Sequence, residues 1–172
     1  MEIVRCNRKQ HGAAILDIFN EAIAHSTALY EYQLRTAGNI RTWFAQKEAG
    51  GFPVIGAEQA GVLVGFASYG SFRARAAYKY TVEHSVYVHQ DHRGRGIGTT
   101  LMRELIAAAR EQQYHVLIGG IDVSNASSAA LHERLGFTCT GTLHQVAFKF
   151  GRWLDLSFYE LILDTPAMPT DG

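Results

Sequence analysis

The chain has 172 residues, with 16 Lys plus Arg against 16 Asp plus Glu, and so no formal net charge at pH 7. That length suits one domain with a full apolar core, and the even balance argues against non-specific binding to nucleic acid. No apolar run approaches the roughly 20 residues of a membrane span, and Met1-Glu2-Ile3 opens directly into a strand with no signal peptide.

Cys6 and Cys139 are isolated, with neither metal spacing nor a disulfide framework. A cytoplasmic protein with reduced thiols and no metal is the expectation.

Glu2 to Cys6 reads as a first strand. Asn7 is placed to cap a helix whose apolar stripe is Ala14, Ile15, Ile18, Phe19, Ala22 and Ile23. From His25 to Arg35 no period holds, and Tyr30 there could line a ligand or pack on the core. Thr36 caps a second helix through Glu48, which Gly50-Gly51 ends. Pro53–Glu58 and Val62–Tyr69 read as a hairpin turning at Gln59-Ala60-Gly61.

Gly70 to Lys79 is a connection carrying Arg73, Arg75 and Lys79 beside Phe72 and Tyr78. A strand follows from Tyr80 to Val88, rich in β-branched and aromatic residues, with Tyr80, Val82, His84, Val86 and Val88 on one face. After a glycine-rich turn, Ile97, Leu101, Leu105 and Ala108 or Ala109 carry a helix to Gln112. His115–Val123 is another strand. Ser124-Asn125 caps a short helix through Leu135, with Gly136 at its stop. Thr138–Phe150 and Trp153–Leu163 form a closing hairpin.

The order β-α-α-β-β-β-α-β-α-β-β predicts an α/β (α+β) domain over residues 1–164. Its mixed sheet, of about seven mostly antiparallel strands, carries helices on both faces. Residues 165–172 are a loose polar tail.

The turn between strand and helix is Arg93-Gly94-Arg95-Gly96-Ile97-Gly98. Glycines let backbone approach a ligand closely, and the first turn of a helix offers unpaired amides and a positive dipole end to an anion. Such contacts are worth only about 0.3–2 kcal/mol each, so several are needed, which points to a polyphosphate. A Walker loop is excluded, since Thr99-Thr100 follow Gly98 instead of Lys-Ser or Lys-Thr. A dinucleotide fingerprint lacks its third glycine.

The remaining pattern, Arg93-x-x-Gly96-x-Gly98 after a strand, resembles the acyl-CoA diphosphate loop of the GNAT superfamily of N-acetyltransferases. The resemblance extends over nearly the whole chain, because the element order is also that of the GNAT fold. Asn125-Ala-Ser-Ser-Ala-Ala-Leu131-His132, continuing to Leu135-Gly136-Phe137, resembles the family's second cofactor motif. Most of the superfamily has Tyr where this chain has His132. Thr81-Val-Glu-His-Ser-Val-Tyr-Val88 and Lys149-Phe-Gly-Arg-Trp-Leu-Asp-Leu156 resemble the branch containing phosphinothricin and methionine sulfoximine or sulfone N-acetyltransferases.

The resemblance implies acetyl-CoA as acyl donor and direct transfer in a ternary complex, without a metal and with a homodimer as the assembly. It assigns the donor to the loop residues Arg93, Gly94, Arg95, Gly96, Ile97, Gly98 and Thr99, to the backbone of Val86, Tyr87 and Val88, and to Asn125 and Ser128. It also places a bulge in the strand of Val86.

Acetyl transfer needs a neutral amine, and Glu83 beside the loop is the candidate base. His132 is the candidate to protonate the leaving thiolate or position a water. For the acceptor, a small amino acid or analogue, the candidates are Tyr30, Phe72, Arg73, Arg75 and Tyr78. Ser71-Phe72-Arg73-Ala74-Arg75 departs from the branch's Asp-Trp-Arg-Pro-Phe, which implies shifted specificity. A protein or peptide acetyltransferase and a non-catalytic acyl-CoA-binding module are the alternatives.

Overall fold

The capping residues stand where the sequence puts them. In the computed structural model, which describes residues 1–171, the Asn7 side chain accepts from the Gln10 amide and α1 runs Arg8–His25. Thr36 and Asn39 form a reciprocal capping box at the start of α2, Ala37–Ala49. The other elements are β1 (Glu2–Arg5), β2 (Val54–Gln59), β3 (Val62–Ser71), β4 (Thr81–Val88), α3 (Ile97–Glu111), β5 (Val116–Asp122), α4 (Ala126–Arg134), β6 (Thr138–Lys149) and β7 (Arg152–Ile162). A tight helical turn, Ala76–Tyr78, interrupts the β3–β4 connection.

The seven strands form one sheet in the order β1-β2-β3-β4-β5-β7-β6. Every neighbouring pair is antiparallel except β4–β5. This is the mixed, mostly antiparallel sheet expected. Strand alternation sends Ala67, Tyr69 and Val82 to the face covered by α3, where Leu101, Met102 and Leu105 are fully buried. Phe66 points the other way, against Ile15, Ile18 and Phe19 of α1. Tyr87 joins that face, its ring 5.2 Å from Phe19. Glu83 and Ser85 therefore lie on the α1–α2 side as well.

One expectation is corrected. Pairing of β4 with β3 runs from Gly65↔Val88 to Ser71↔Val82 without a register shift, so β4 carries no bulge against β3. The irregularity is on its other edge. Parallel pairing with β5 ends at Glu83↔Ile118, although β4 continues to Val88 and β5 to Asp122. Each strand is held from outside, β4 by β3 and β5 by β7, the latter as far as Asp122↔Leu156. The two diverge and open a wedge in the middle of the sheet.

Of the tail predicted over 165–172, Gly172 lies outside the described residues. The remainder is irregular but touches the body: the Thr170 amide donates to the Tyr80 hydroxyl at 3.1 Å, and His115 Nδ1 donates to the Thr165 carbonyl at 2.7 Å.

Candidate active site

Three cavities border the wedge between β4 and β5. A cleft of about 650 Å³ lies between the end of α1, the loop before α3 and the start of α4. Gly94 and Gly96 hold φ of 75° and 79°, the left-handed region that favours glycine. Gly96 caps α3 without any side-chain cap bond. The first helical amide bond is Thr100 to the Gly96 carbonyl, at 3.1 Å, so the amides of Ile97, Gly98 and Thr99 face the cleft free of helical partners. Gly98 is small for a different reason: a Cβ there would come within 2.9 Å of the Leu131 side chain on α4.

The edge of β4 supplies more donors. The His89 amide bonds the Val64 carbonyl, so by antiparallel alternation Tyr87 and Ser85 bond β3, while Val86 and Val88 turn their amides toward the wedge. Val86, Tyr87 and Val88 all border the cleft, as do Asn125, which caps α4, and Ser128 in its first turn. Asn125 Oδ1 is occupied in capping the Ser128 amide at 3.2 Å, which leaves its amide protons to a ligand.

Of the predicted loop residues, Arg93, Gly94, Gly96, Ile97, Gly98 and Thr99 border the cleft and Arg95 does not. Arg93 is already engaged, donating to the Val88 carbonyl at 3.0 Å and pairing with Glu21 of α1. It ties the loop to α1 as much as it offers charge. Arg134 and Arg152, unassigned from the sequence, border the cleft instead. They are distant in sequence from the glycine loop, and only the fold brings them to it.

Deeper in the wedge, His84 and His132 meet Nε2 to Nε2 at 2.8 Å, both buried. His132 Nδ1 donates to the Ser128 carbonyl at 2.7 Å. Its Nε2 is therefore the acceptor for the His84 Nε2 proton, and both rings are neutral. His84 Nδ1 is left as a buried nitrogen without a hydrogen bond. Burial, reinforced by His132, drives the His84 pKa down to about 3, and burial lowers that of His132. Gly119 of β5 makes the pair possible, since a Cβ there would lie 2.8 Å from the His84 ring. A cavity of about 70 Å³ borders both rings, room for a water.

On the α1–α2 face lies a third cavity, of about 400 Å³, bordered by Glu83, Tyr30, Lys47, Gly70 and Asp122 among others. Glu83 Oε1 reaches over β5 to within 3.8 Å of where a Gly120 Cβ would stand. Burial raises the Glu83 pKa, opposed by the charge of Arg73. The Tyr30 hydroxyl donates to Asp122 Oδ2 at 2.8 Å. Burial pushes the Asp122 carboxyl up, but hydrogen bonds from Ser124 and Tyr30 outweigh it and hold it below the usual carboxylate value.

The loop assigned to the acceptor is only partly at the site. Arg73 acts on Glu83 through its charge, yet neither it nor Phe72, Arg75 or Tyr78 borders this cavity. Phe72 and Tyr78 pack on each other instead, with ring centroids 5.6 Å apart, and Arg75 is exposed. Lys47 and Asp122 were missed. Nothing in the helical period of α2 marks Lys47, whereas Gly119-Gly120 inside a strand is a sequence signal of close approach.

Ala28 and Tyr87 border all three cavities. A glycine-rich helix start, a free strand edge and a carboxylate in a neighbouring cavity, gathered around one opening in the sheet, define an acyl-CoA-dependent N-acetyltransferase. The chain belongs to the Acetyltransferase (GNAT) family, whose sequence profile matches residues 13–137. It is 43% identical over 166 residues to the L-amino acid N-acyltransferase MnaT of Escherichia coli strain K12, covering 96% of each chain. It is equally 43% identical to an L-methionine sulfoximine/L-methionine sulfone acetyltransferase of Salmonella typhimurium, covering 96% of this chain and 97% of that one. A GNAT-superfamily phosphinothricin acetyltransferase of Sinorhizobium meliloti, solved with acetyl-CoA, superposes with a TM-score of 0.93 at 31% identity, covering 99% of this chain and 94% of that one.

Proposed function

We propose that the protein transfers an acetyl group from acetyl-CoA to the α-amine of a small amino acid or analogue, of the methionine sulfone, methionine sulfoximine or phosphinothricin type. Transfer is direct, in a ternary complex. The observation that carries this reading is that the three cavities adjoin at the β4–β5 wedge, with Ala28 and Tyr87 lining all of them. Donor and acceptor can then meet across one strand.

Acetyl-CoA supplies an activated acyl group as its thioester. The amides of Ile97 to Thr99 and the arginines of the cleft grip the diphosphate. The wedge-facing amides of Val86 and Val88, with Asn125 and Ser128, align the pantetheine arm and meet the carbonyl oxygen as it gains charge. Glu83 takes the amine proton, directly or through one water. A neutral His132 has its Nδ1 proton committed to Ser128. The proton for the departing sulfur therefore comes by way of water in the small cavity, with the imidazole pair orienting it.

Alignment of two substrates in this way can lower a barrier by about 7–11 kcal/mol. No group of three or more His, Cys, Asp or Glu side chains is placed to hold a metal among the described residues, and no helix there is long and apolar enough to cross a membrane. The proposed setting is the cytoplasm, with residues 1–164 acting as one catalytic domain. The proposed assembly is a homodimer. Its motive is the exposed apolar hairpin, where Phe148, Phe150 and Trp153 are 46%, 57% and 60% accessible. A monomer in sedimentation at micromolar concentration would dismiss the dimer.

The test of the function is a thiol-release assay with acetyl-CoA against free amino acids, methionine sulfone, methionine sulfoximine, phosphinothricin and short peptides. Turnover of at least one free amino acid or analogue, and of no peptide, is expected. Absence of acetyl-CoA binding in calorimetry would end the acetyltransferase reading for this chain.

A further inference from the structure

Lys47 is a half-buried cation without an acid. It extends from the last turn of α2, and its Nζ donates to the Tyr69 carbonyl at 2.8 Å. An ammonium has three protons, and among the described residues Lys47 makes neither an ion pair nor another side-chain hydrogen bond. Trp43 and Phe52 flank it, the Nζ 5.5 and 5.9 Å from their ring centroids. An ammonium partly withdrawn from water and given no anion is disfavoured. Burial accordingly lowers its pKa to about 8.

Its position relative to Glu83 comes from the sheet. Gly70 and Glu83 are directly paired across β3 and β4, so the Glu83 side chain and the missing side chain of Gly70 share one face. Lys47 Nζ fills that place, 3.4 Å from where a Gly70 Cβ would be. The cation stands over β3 and the carboxylate reaches over β5, on one face with β4 between them, so about two strand spacings, or about 10 Å, separate the strands they stand over, and both border the same cavity. They are not paired with each other within 4.0 Å.

We propose that Lys47 binds the α-carboxylate of the acceptor, setting its α-amine at Glu83. This rests on the acetyltransferase reading and sharpens it. In an α-amino acid the amine and the carboxylate share one carbon, so a zwitterion bridges the two protein charges with each end matched. An amine without a carboxylate, or the N-terminus of a peptide, whose first carboxyl is an amide, leaves Lys47 unpaired. Arg73, on the exposed loop, is then free for a group further along the acceptor.

The experiment compares L-methionine sulfone with its carboxamide as acceptors, in the wild type and in K47M. Acetyl-CoA affinity serves as the folding control, because Lys47 does not border the donor cleft. The wild type is expected to prefer the acid in kcat/KM by about tenfold or more, the worth of a charged hydrogen bond. In K47M the KM for the acid should rise by a similar factor, with kcat little changed, and the preference should fall to near one. If K47M does not fold, K47Q serves in its place.

A preference that survives in the folded variant overturns the role of Lys47 and leaves the acetyltransferase assignment standing. A wild type that acetylates amines or peptides but no amino acid overturns the role of Lys47 and the acceptor class together. A wild type that does not bind acetyl-CoA overturns everything from the donor onward.

Discussion

At the scale of single residues, Glu83 and His84 are neighbours on β4 that face opposite sides of the sheet. Glu83 opens to the acceptor cavity, where burial raises its pKa against the charge of Arg73. A raised carboxyl pKa means the base is lost at higher pH than usual, so the rate should fall as pH drops through that value. Glu83→Gln keeps the shape and removes the base. It should cost about 10²- to 10⁴-fold in kcat/KM and abolish the acidic limb of the pH–rate profile, with acetyl-CoA affinity unchanged. An acidic limb that persists in the Gln variant would assign the base elsewhere. His84 is buried and neutral, its pKa lowered from 6.5 to about 3. Between those values the unfolded chain binds the proton and the folded chain does not, so stability rises with pH and is lost as pH falls below 6.5. One such group contributes about 1.4 kcal/mol per pH unit across that window. Denaturant titrations of the wild type and His84→Gln at pH 7 and pH 5 should show a shallower pH dependence in the variant. Equal slopes would mean that His84 is charged in the fold.

At the scale of elements, the glycine loop carries its own test. Gly96 sits at φ 79°, and a Cβ there meets nothing within 4 Å. The effect of Gly96→Ala is therefore conformational alone, about 1–2 kcal/mol of left-handed strain. For a chain of this size that is a melting shift of about 2–8 °C, and relief of the strain by loop movement should weaken acetyl-CoA binding in calorimetry. Unchanged affinity would separate the loop from the donor. This loop was legible in the sequence because local rules govern it: glycine at positive φ, then a helix with a strong apolar face. The caps at Asn7, Thr36 and Asn125 were legible for the same reason, as was the hairpin of β2 and β3. What could not be read was relational. Arg73, Arg75, Phe72 and Tyr78 are near Glu83 in sequence, but their segment leaves the sheet at the end of β3 and only the charge of Arg73 reaches back. Lys47 is 36 positions before Glu83, and Gly70, which makes room for it, matters only once the β3–β4 register is known. The wedge itself depends on β7 inserting between β5 and β6, a non-local pairing that no pattern within β4 or β5 announces.

At the scale of the whole molecule, the site depends on how the two ends of the chain are joined. Lys149, 4% accessible at the end of β6, donates to three carbonyls: Ile23 at 2.7 Å, Ser26 at 2.8 Å and Leu29 at 2.6 Å. It closes the C-terminal end of α1, where a cation is favoured by the helix dipole, and it pins the loop that follows. Thr27 and Ala28 on that loop border both the donor cleft and the acceptor cavity. A single side chain from the last hairpin thus fixes a wall common to both substrates. Lys149→Met keeps the apolar stem and strands the carbonyls, each able to recover water only if the loop moves out. A loss of about 1–3 kcal/mol is expected, read as a lower urea midpoint with an unchanged slope. Because the wall is shared, KM should rise for acetyl-CoA and for the acceptor together. A rise confined to one substrate would mean that the loop serves only one cavity. No rise in either, beside the same stability loss, would reduce Lys149 to a clasp of the fold without influence on the site.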